Sequence, residues 1–183
     1  MPGLLAAALA LAACGGSDGG GSVRAAGAPK LTTADLPKPL ARNVRQANLI
    51  IDGAGDLLTR KLRQLRGFPV VVNQWASWCE PCRFEFPFFQ TAARRHRAQV
   101  AFLGIDMRDS KDDAKRFLEE IKAPFPSIFD PDAAYISSIG GGQASPTTVF
   151  IDRRGEVVSV HPGAYASADA LEADIARHAL PRR

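Results

Sequence analysis

Two cysteines separated by two residues, Cys79 and Cys82, constrain this chain more than any other feature. Residues 68–75, an apolar run typical of a buried strand, precede them, and a helical pattern follows. At a strand-to-helix junction, unpaired amide N–H groups and the helix dipole stabilise a thiolate. The pattern therefore predicts an exposed Cys79 that attacks a partner disulfide and a more buried Cys82 that then releases the partner.

A cysteine pair at this spacing has two other possible uses. A purely structural disulfide is the first alternative, and Trp78 beside the pair at a helix start favours the redox-active interpretation. A zinc site would need a second pair of ligands, and the histidines have no ligand spacing: His96, His161 and His178. We therefore expect no bound metal and no other cofactor.

The dipeptide between the cysteines bears on the direction of the reaction. Pro81 suits the first turn of a helix. Glu80 places a negative charge beside the thiols, which raises the pKa of a cysteine because it opposes thiolate formation. The dipeptide therefore indicates a weak oxidant, and reduction of partner disulfides is the expected direction.

The third cysteine, Cys14, lies in a motif of a different kind. Residues 4–13 form a short apolar run of signal-peptide size, ending in Leu-Ala-Ala before Cys14, which resembles a bacterial lipobox. An ordinary apolar tail with a spare thiol is the alternative. We expect a signal peptide over 1–14 with lipid on Cys14, a flexible Gly-, Ala- and Pro-rich linker over 15–45, and the folded domain over 46–183.

Composition excludes little but agrees with a single globular domain. The chain has 183 residues, 46% hydrophobic and 23% charged, with a formal net charge of +4. Its basic residues are scattered, so we expect no nucleic-acid binding.

Periodicity and turn signals predict alternating strands and helices in the order β-α-β-α-β-(α)-β-β-α. This is an α/β fold, a mixed central sheet with helices on both faces. The predicted helices are 56–67, 80–98 with a kink at Pro87, 110–122, 133–139 and 167–178, and the predicted strands are 69–75, 100–106, 127–129, 147–152 and 156–161. Asp56, Ser110 and Ser167 are expected helix caps, and Asp106 and Asp130 are expected to cap or turn after their strands.

Two segments together resemble the TlpA/ResA-type branch of the thioredoxin superfamily: residues 70–87, with the sequence VVVNQWASWCEPCRFEFP, and residues 145–152, with the sequence SPTTVFID. The resemblance covers residues 55–180 and implies a thioredoxin-like fold. It also implies a cis Ser145–Pro146 bond that leaves an open backbone edge for a partner strand beside the thiols. The expected substrate-binding residues are Trp78, Glu80, Pro81, Ser145, Pro146 and Thr147.

One carboxylate is a candidate proton acceptor for Cys82. Thioredoxins carry a buried aspartate on the strand before the motif, but Asn73 occupies that position here and cannot accept the proton. Glu85 follows Cys82 by three residues on the same helix face, and the family pattern is acidic there. A solvated helix carboxylate is the alternative. The family also often has a β-hairpin before this strand, which the helical pattern after residue 56 makes doubtful.

These features predict a monomeric, extracytoplasmic thiol–disulfide oxidoreductase held by lipid at the outer face of the bacterial cell membrane. Its expected partners are protein thiols and disulfides and a membrane electron donor, and the resemblance suggests cytochrome c maturation as one role. A lipoprotein that binds Cu(I) through Cys79 and Cys82 is the alternative, with Met107 as the only internal methionine. Peroxide reduction is a third function, although a single attacking cysteine is more typical of it.

Overall fold

The computed structural model describes residues 32–53, 55–142 and 144–180. Its strands are β1 (Ile50–Ile51), β2 (Val70–Trp75), β3 (Ala101–Met107), β4 (Ser127–Asp130), β5 (Thr147–Ile151) and β6 (Val157–Pro162). Its helices are α1 (Lys38–Arg45), α2 (Leu57–Gln64), α3 (Glu80–His96), α4 (Lys111–Ile121), α5 (Ala134–Ser138) and α6 (Ala168–His178), and a 3-10 turn covers Thr33–Asp35.

The strands form one mixed sheet in the order β1-β4-β3-β2-β5-β6. β2, β3, β4 and β1 run parallel, whereas β5 is antiparallel to β2 and pairs with β6 as a hairpin. The predicted fold class is confirmed, as is the predicted order of elements from β2 onward. β2 lies near the centre, so the strand that leads into the redox pair is supported on both edges.

Two apolar clusters, one on each face of the sheet, hold the helices in place. Alternate residues of β2 divide between them because successive side chains of a strand point to opposite faces. The first cluster includes Val71 and Trp75 with residues of α3, α4 and α6: Phe86, Phe89, Phe117, Leu118, Leu171 and Ile175. The second includes Val70 and Val72 with residues from α1, α2 and α5: Leu40, Leu58 and Ile136. The continuous valines therefore reflect burial on both faces.

Most of the predicted caps are confirmed. The Ser110 and Ser167 hydroxyls accept hydrogen bonds from Asp113 N at 3.1 Å and Ala170 N at 3.2 Å, at the starts of α4 and α6. Asp130 caps α5 by accepting from two backbone amides there. Asp56 is different: it precedes α2 but makes no capping bond, because its carboxylate pairs with arginines of the same helix.

The expected linker over 15–45 is wrong at its carboxyl-terminal end. Residues 38–45 form α1, in which Leu40 is only 1% exposed and Asn43 Nδ2 donates to Phe102 O at 2.8 Å. Pro37 and Pro39 suggested extended backbone, but proline is also favoured in the first helical turn. The folded region therefore includes residue 32, well before the predicted start at 46. The predicted signal peptide, Cys14 and residues 15–31 of the expected linker lie outside the described residues.

The segment before β2 holds a short strand, not a hairpin. β1 pairs in parallel with β4, with Ile50 opposite Ser127, and the chain then enters α2. α3 continues through Pro87, and the kink expected there stays a prediction. Within the ranges that the structure describes, no helix is both long and apolar enough to cross a bilayer.

Candidate active site

Cys79 and Cys82 form a disulfide at the start of α3, with their Cα atoms 5.3 Å apart. Cys79 is the N-cap residue, and its sulfur accepts a hydrogen bond from Cys82 N at 3.3 Å. Cys79 is 3% exposed and Cys82 is fully buried. The order of exposure agrees with the sequence, but in the disulfide Cys79 is nearly covered as well. One amide of the first helical turn thus points at the sulfur that would become a thiolate.

The loop that enters this turn is held by the strand beside it. Asp109, just after β3, accepts hydrogen bonds from Ser77 N at 2.5 Å and from Ser77 Oγ at 3.0 Å. Trp78 Nε1 donates to Arg108 O at 3.0 Å, while the ring stays 59% exposed. The indole is therefore oriented by one hydrogen bond and offers an apolar face to solvent next to the disulfide.

The residues between the cysteines lie on the surface. Glu80 and Pro81 are both exposed and form the first turn of α3. A partner can approach the pair from this side. Among the residues described, no group of three or more His, Cys, Asp or Glu side chains is arranged to hold a metal ion.

Glu85 is a buried carboxyl group, so the alternative of a solvated carboxylate on the helix surface is wrong. It is fully buried, and its two oxygens accept hydrogen bonds from Asn73 Nδ2 at 2.8 Å and from Tyr165 N at 2.9 Å. Burial raises the pKa of Glu85 to about 7, against the lowering effect of the bonds from Tyr165 and Asn73. A carboxyl group with this pKa can both hold and release a proton near neutral pH.

The second motif lies at the same end of the sheet as the redox pair. The Ser145–Pro146 bond is cis, as the resemblance implied. Thr147 begins β5 and pairs with Gln74 in β2, five residues before Cys79. Pro146 O accepts a hydrogen bond from Gly163 N at 2.9 Å, which ties this motif to the loop after β6.

The sequence predicted that Asp106 would cap a helix or turn the chain, but the residue lies within β3 and does neither. It is fully buried at the end of β3, beside Trp75 in the register, and no N–H or O–H group of the described residues donates to its carboxyl oxygens. Burial is the main reason that the pKa of Asp106 rises to about 9; the negative charge of Asp109, a side-chain hydrogen bond with Asp109 and the negative charge of Asp130 add to it. The group is therefore protonated at neutral pH.

Three residues that organise this region were not singled out in the sequence: Gln74, Asp109 and Tyr165. Gln74 is fully buried within β2 and bonds to the segment before Pro146. A glutamine inside a valine-rich strand was a usable signal, because a buried amide needs partners. Asp109 and the backbone of Tyr165 carried no comparable signal, since their partners come from distant parts of the chain.

This geometry has counterparts among known proteins. The profile of the AhpC/TSA family matches residues 46–160. The thiol-disulfide oxidoreductase ResA of Bacillus subtilis is 31% identical over 104 residues, which cover 56% of this chain and 58% of that protein. ResA of Halalkalibacterium halodurans is 30% identical over 129 residues, covering 69% and 72% of the two chains.

A solved structure shows the same fold. A secreted disulfide oxidoreductase of Mycobacterium tuberculosis, described as homologous to E. coli DsbE, matches with a TM-score of 0.56 at 28% identity, over 63% of this chain and 85% of that one. The alignment with the Bacillus subtilis relative spans less than two thirds of that protein's length. Both the sequence and the thioredoxin-like fold are thus similar to those of proteins named for thiol–disulfide exchange.

Proposed function

Because this chain belongs to the AhpC/TSA family, and within it to the ResA-type thiol–disulfide oxidoreductases, we propose that it exchanges disulfides with protein substrates outside the cytoplasm. The observation that carries the proposal is the Cys79–Cys82 disulfide at the N-cap of α3. A thiolate on Cys79 attacks a partner disulfide, one sulfur of the partner leaves with a proton, and a mixed disulfide forms. Cys82 then attacks the Cys79 sulfur, which releases the reduced partner and restores the internal disulfide.

The surface around the pair supports a macromolecular substrate. Trp78, Glu80 and Pro81 are exposed beside the disulfide, so a partner chain can lie across them. A surface cavity of about 640 Å³ lies beside Asp130 and Tyr135 and is not lined by either cysteine. A substrate therefore meets the exposed residues around the pair before it reaches the Cys79 sulfur, since Cys79 is 3% exposed.

Glu85 is the group that we assign to proton transfer with Cys82. Both side chains are fully buried on α3, three residues apart, and are therefore on one face of the helix. The thiol of Cys82 must lose its proton before it can attack the mixed disulfide, and a carboxylate with a pKa of about 7 can accept that proton near neutral pH.

The expected direction is reduction. Glu80 lies between the cysteines and its negative charge opposes the thiolate, so the disulfide is stabilised relative to that of a strong oxidant. The resemblance to TlpA/ResA-type proteins suggests apocytochrome c as one substrate, and the relatives named thiol-disulfide oxidoreductase ResA agree with that resemblance. A membrane protein would then supply the electrons.

The function is tested by insulin reduction and by a redox titration. The reduced protein is expected to reduce insulin disulfides, and the pair is expected to have a midpoint nearer to about −270 mV, as in thioredoxin, than to the −120 mV or so of a strong oxidant. The measurements are insulin turbidity and equilibration with glutathione or dithiothreitol buffers. Absence of insulin reduction would contradict the function, and a midpoint near that of the strong oxidant would contradict the direction.

Membrane attachment through Cys14 is part of the same proposal. Cys14 follows an apolar run in a lipobox-like sequence, and a residue that carries two acyl chains anchors a domain stably at a membrane surface. Cys14→Ala is expected to move the protein from the membrane fraction to the soluble fraction while the purified domain keeps its redox activity. The measurement is fractionation of cells that express each form, and unchanged membrane association of the variant would remove the lipid anchor from the proposal.

A further inference from the structure

Gln74 is a fully buried amide in β2 whose side-chain hydrogen bonds, among the described residues, go to the segment before Pro146. Its Nε2 donates to Ala144 O at 2.6 Å and to Ser145 Oγ at 2.8 Å. Its Oε1 accepts from Gly142 N at 2.8 Å. Because the side chains of a strand alternate, Gln74 points away from the face on which Asn73 meets Glu85.

We propose that Gln74 is a positioning residue that holds Gly142, Ala144 and Ser145 against the strand leading to the redox pair, and so sets the affinity for protein disulfides. The inference rests on the proposed function. β2 carries Cys79 four residues after its last residue, Trp75, and the same strand supplies the amide that holds Ser145. This side chain thus adds to the backbone pairing of β2 with β5 in holding the two halves of the site together.

An amide suits this position better than an apolar side chain. Gly142 is buried, so its N–H needs an acceptor once water is excluded. The neighbouring backbone is packed tightly: a Cβ atom at Gly141 would lie 2.7 Å from the Ile136 side chain and 3.1 Å from Gln74 Oε1. The backbone at Gly142 has little room to move toward a different acceptor, so loss of the amide should leave Gly142 N without a bond. Ala144 and Ser145 would also lose their bonds to β2 and become more mobile.

The expected consequence is specific to large substrates. A partner strand that pairs with the backbone beside Pro146 needs that backbone to be fixed in advance, since ordering it on binding lowers the affinity. A small disulfide makes no such strand contact. None of the described hydrogen bonds of Gln74 reaches Cys79 or Cys82, so the intrinsic reactivity of the thiols should not depend on it.

The test compares Gln74→Met with the wild-type protein on two substrates. With insulin, KM is expected to rise about tenfold while kcat stays within about twofold, because binding is weakened and the chemical step is not. With 5,5′-dithiobis(2-nitrobenzoate), a small disulfide, the rate is expected to stay within about twofold. Amide hydrogen exchange at Gly142 is expected to be faster in the variant.

The matched control is Gln90→Met on α3. Gln90 also donates from Nε2 to a backbone carbonyl, that of Ile121, but lies eight residues after Cys82 in α3, away from the redox turn. Its loss removes a similar hydrogen bond, and KM for insulin is expected to stay at the wild-type value even if the melting temperature falls.

Each other outcome overturns the inference. An unchanged KM in Gln74→Met would show that the amide serves stability alone, and an equal loss of rate on both substrates would show general damage to the site. If Gln74→Met does not fold, Ser145→Ala removes one of the three bonds without altering β2, and KM for insulin should rise about twofold to threefold; an unchanged KM there would overturn it. A wild-type protein that does not reduce insulin would overturn the proposed function and this inference together, whereas failure confined to the variants would overturn the inference alone.

Discussion

Cys79→Ser is expected to abolish insulin reduction, whereas Cys82→Ser is expected to retain the first attack and to accumulate mixed disulfides with its partners. Cys79 lies at the N-cap and keeps the only exposed fraction of the pair, 3%, while Cys82 is fully buried. A partner disulfide can therefore reach the Cys79 sulfur first, and without Cys82 no thiol is available to release the partner.

The measurement combines insulin turbidity with non-reducing electrophoresis and mass determination of trapped species. Cys14→Ala, which leaves the redox pair intact, is the control and should reduce insulin at the wild-type rate after purification. Turnover that survives in Cys79→Ser, or mixed disulfides that form on Cys82 in that variant, would reverse the assignment of the two thiols.

Glu85→Gln is expected to lower the apparent pKa of the thiols and, at neutral pH, to slow the release of mixed disulfides by about tenfold or more. The substitution keeps the shape of the side chain and removes a nearby negative charge that opposes the thiolate. It also removes the acceptor for the Cys82 proton. Because the groups interact, the titration belongs to the cluster of Glu85 and the two thiols.

Thiolate absorbance across pH, together with single-turnover release rates, measures both effects. Glu119→Gln on α4 is the matched control, since that carboxylate is exposed and should change neither quantity. Superimposable titrations with equal rates in wild type and Glu85→Gln would remove Glu85 from the mechanism. Chemical unfolding of the oxidised protein gives a second readout for the same variant.

The pH dependence of the free energy of unfolding follows from the raised pKa of Glu85, which is about 7 in the folded protein and 4.5 for the free group. The folded state then binds the proton more tightly than the unfolded state, so this group's contribution to stability is complete below pH 4.5 and is lost as the pH rises through 7. Glu85→Gln is expected to flatten that part of the stability profile, in which Asp106 also takes part.

The parts of the fold with strong local signals were predictable from sequence. Continuous valines marked β2 as a central strand, and Ser110 and Ser167 marked helix starts because a hydroxyl satisfies free amides there. The redox pair and the position of Glu85 on the same helix face as Cys82 were also predictable, because the two residues lie three positions apart in one helix.

The rest depends on contacts between distant residues. α1 was missed because its prolines fit both a linker and a first helical turn, and only packing against the sheet distinguishes the two. Asp106 was expected to turn the chain, but its environment is set by Asp109 and by residues of a neighbouring strand. The partners of Gln74 lie about 70 positions away, so its polarity signalled a need for partners without identifying them.

Because α1 belongs to the fold, it limits how far the domain can lie from a lipid anchor on Cys14. The described fold begins at residue 32, so only residues 15–31 separate it from the proposed lipid on Cys14. A chain spans at most about 3.5 Å per residue, which limits that separation to about 60 Å. A domain tethered this closely encounters proteins at the same membrane far more often than free ones, because the tether raises their effective concentration. Selection of substrates would then begin with their location, before any contact with the disulfide.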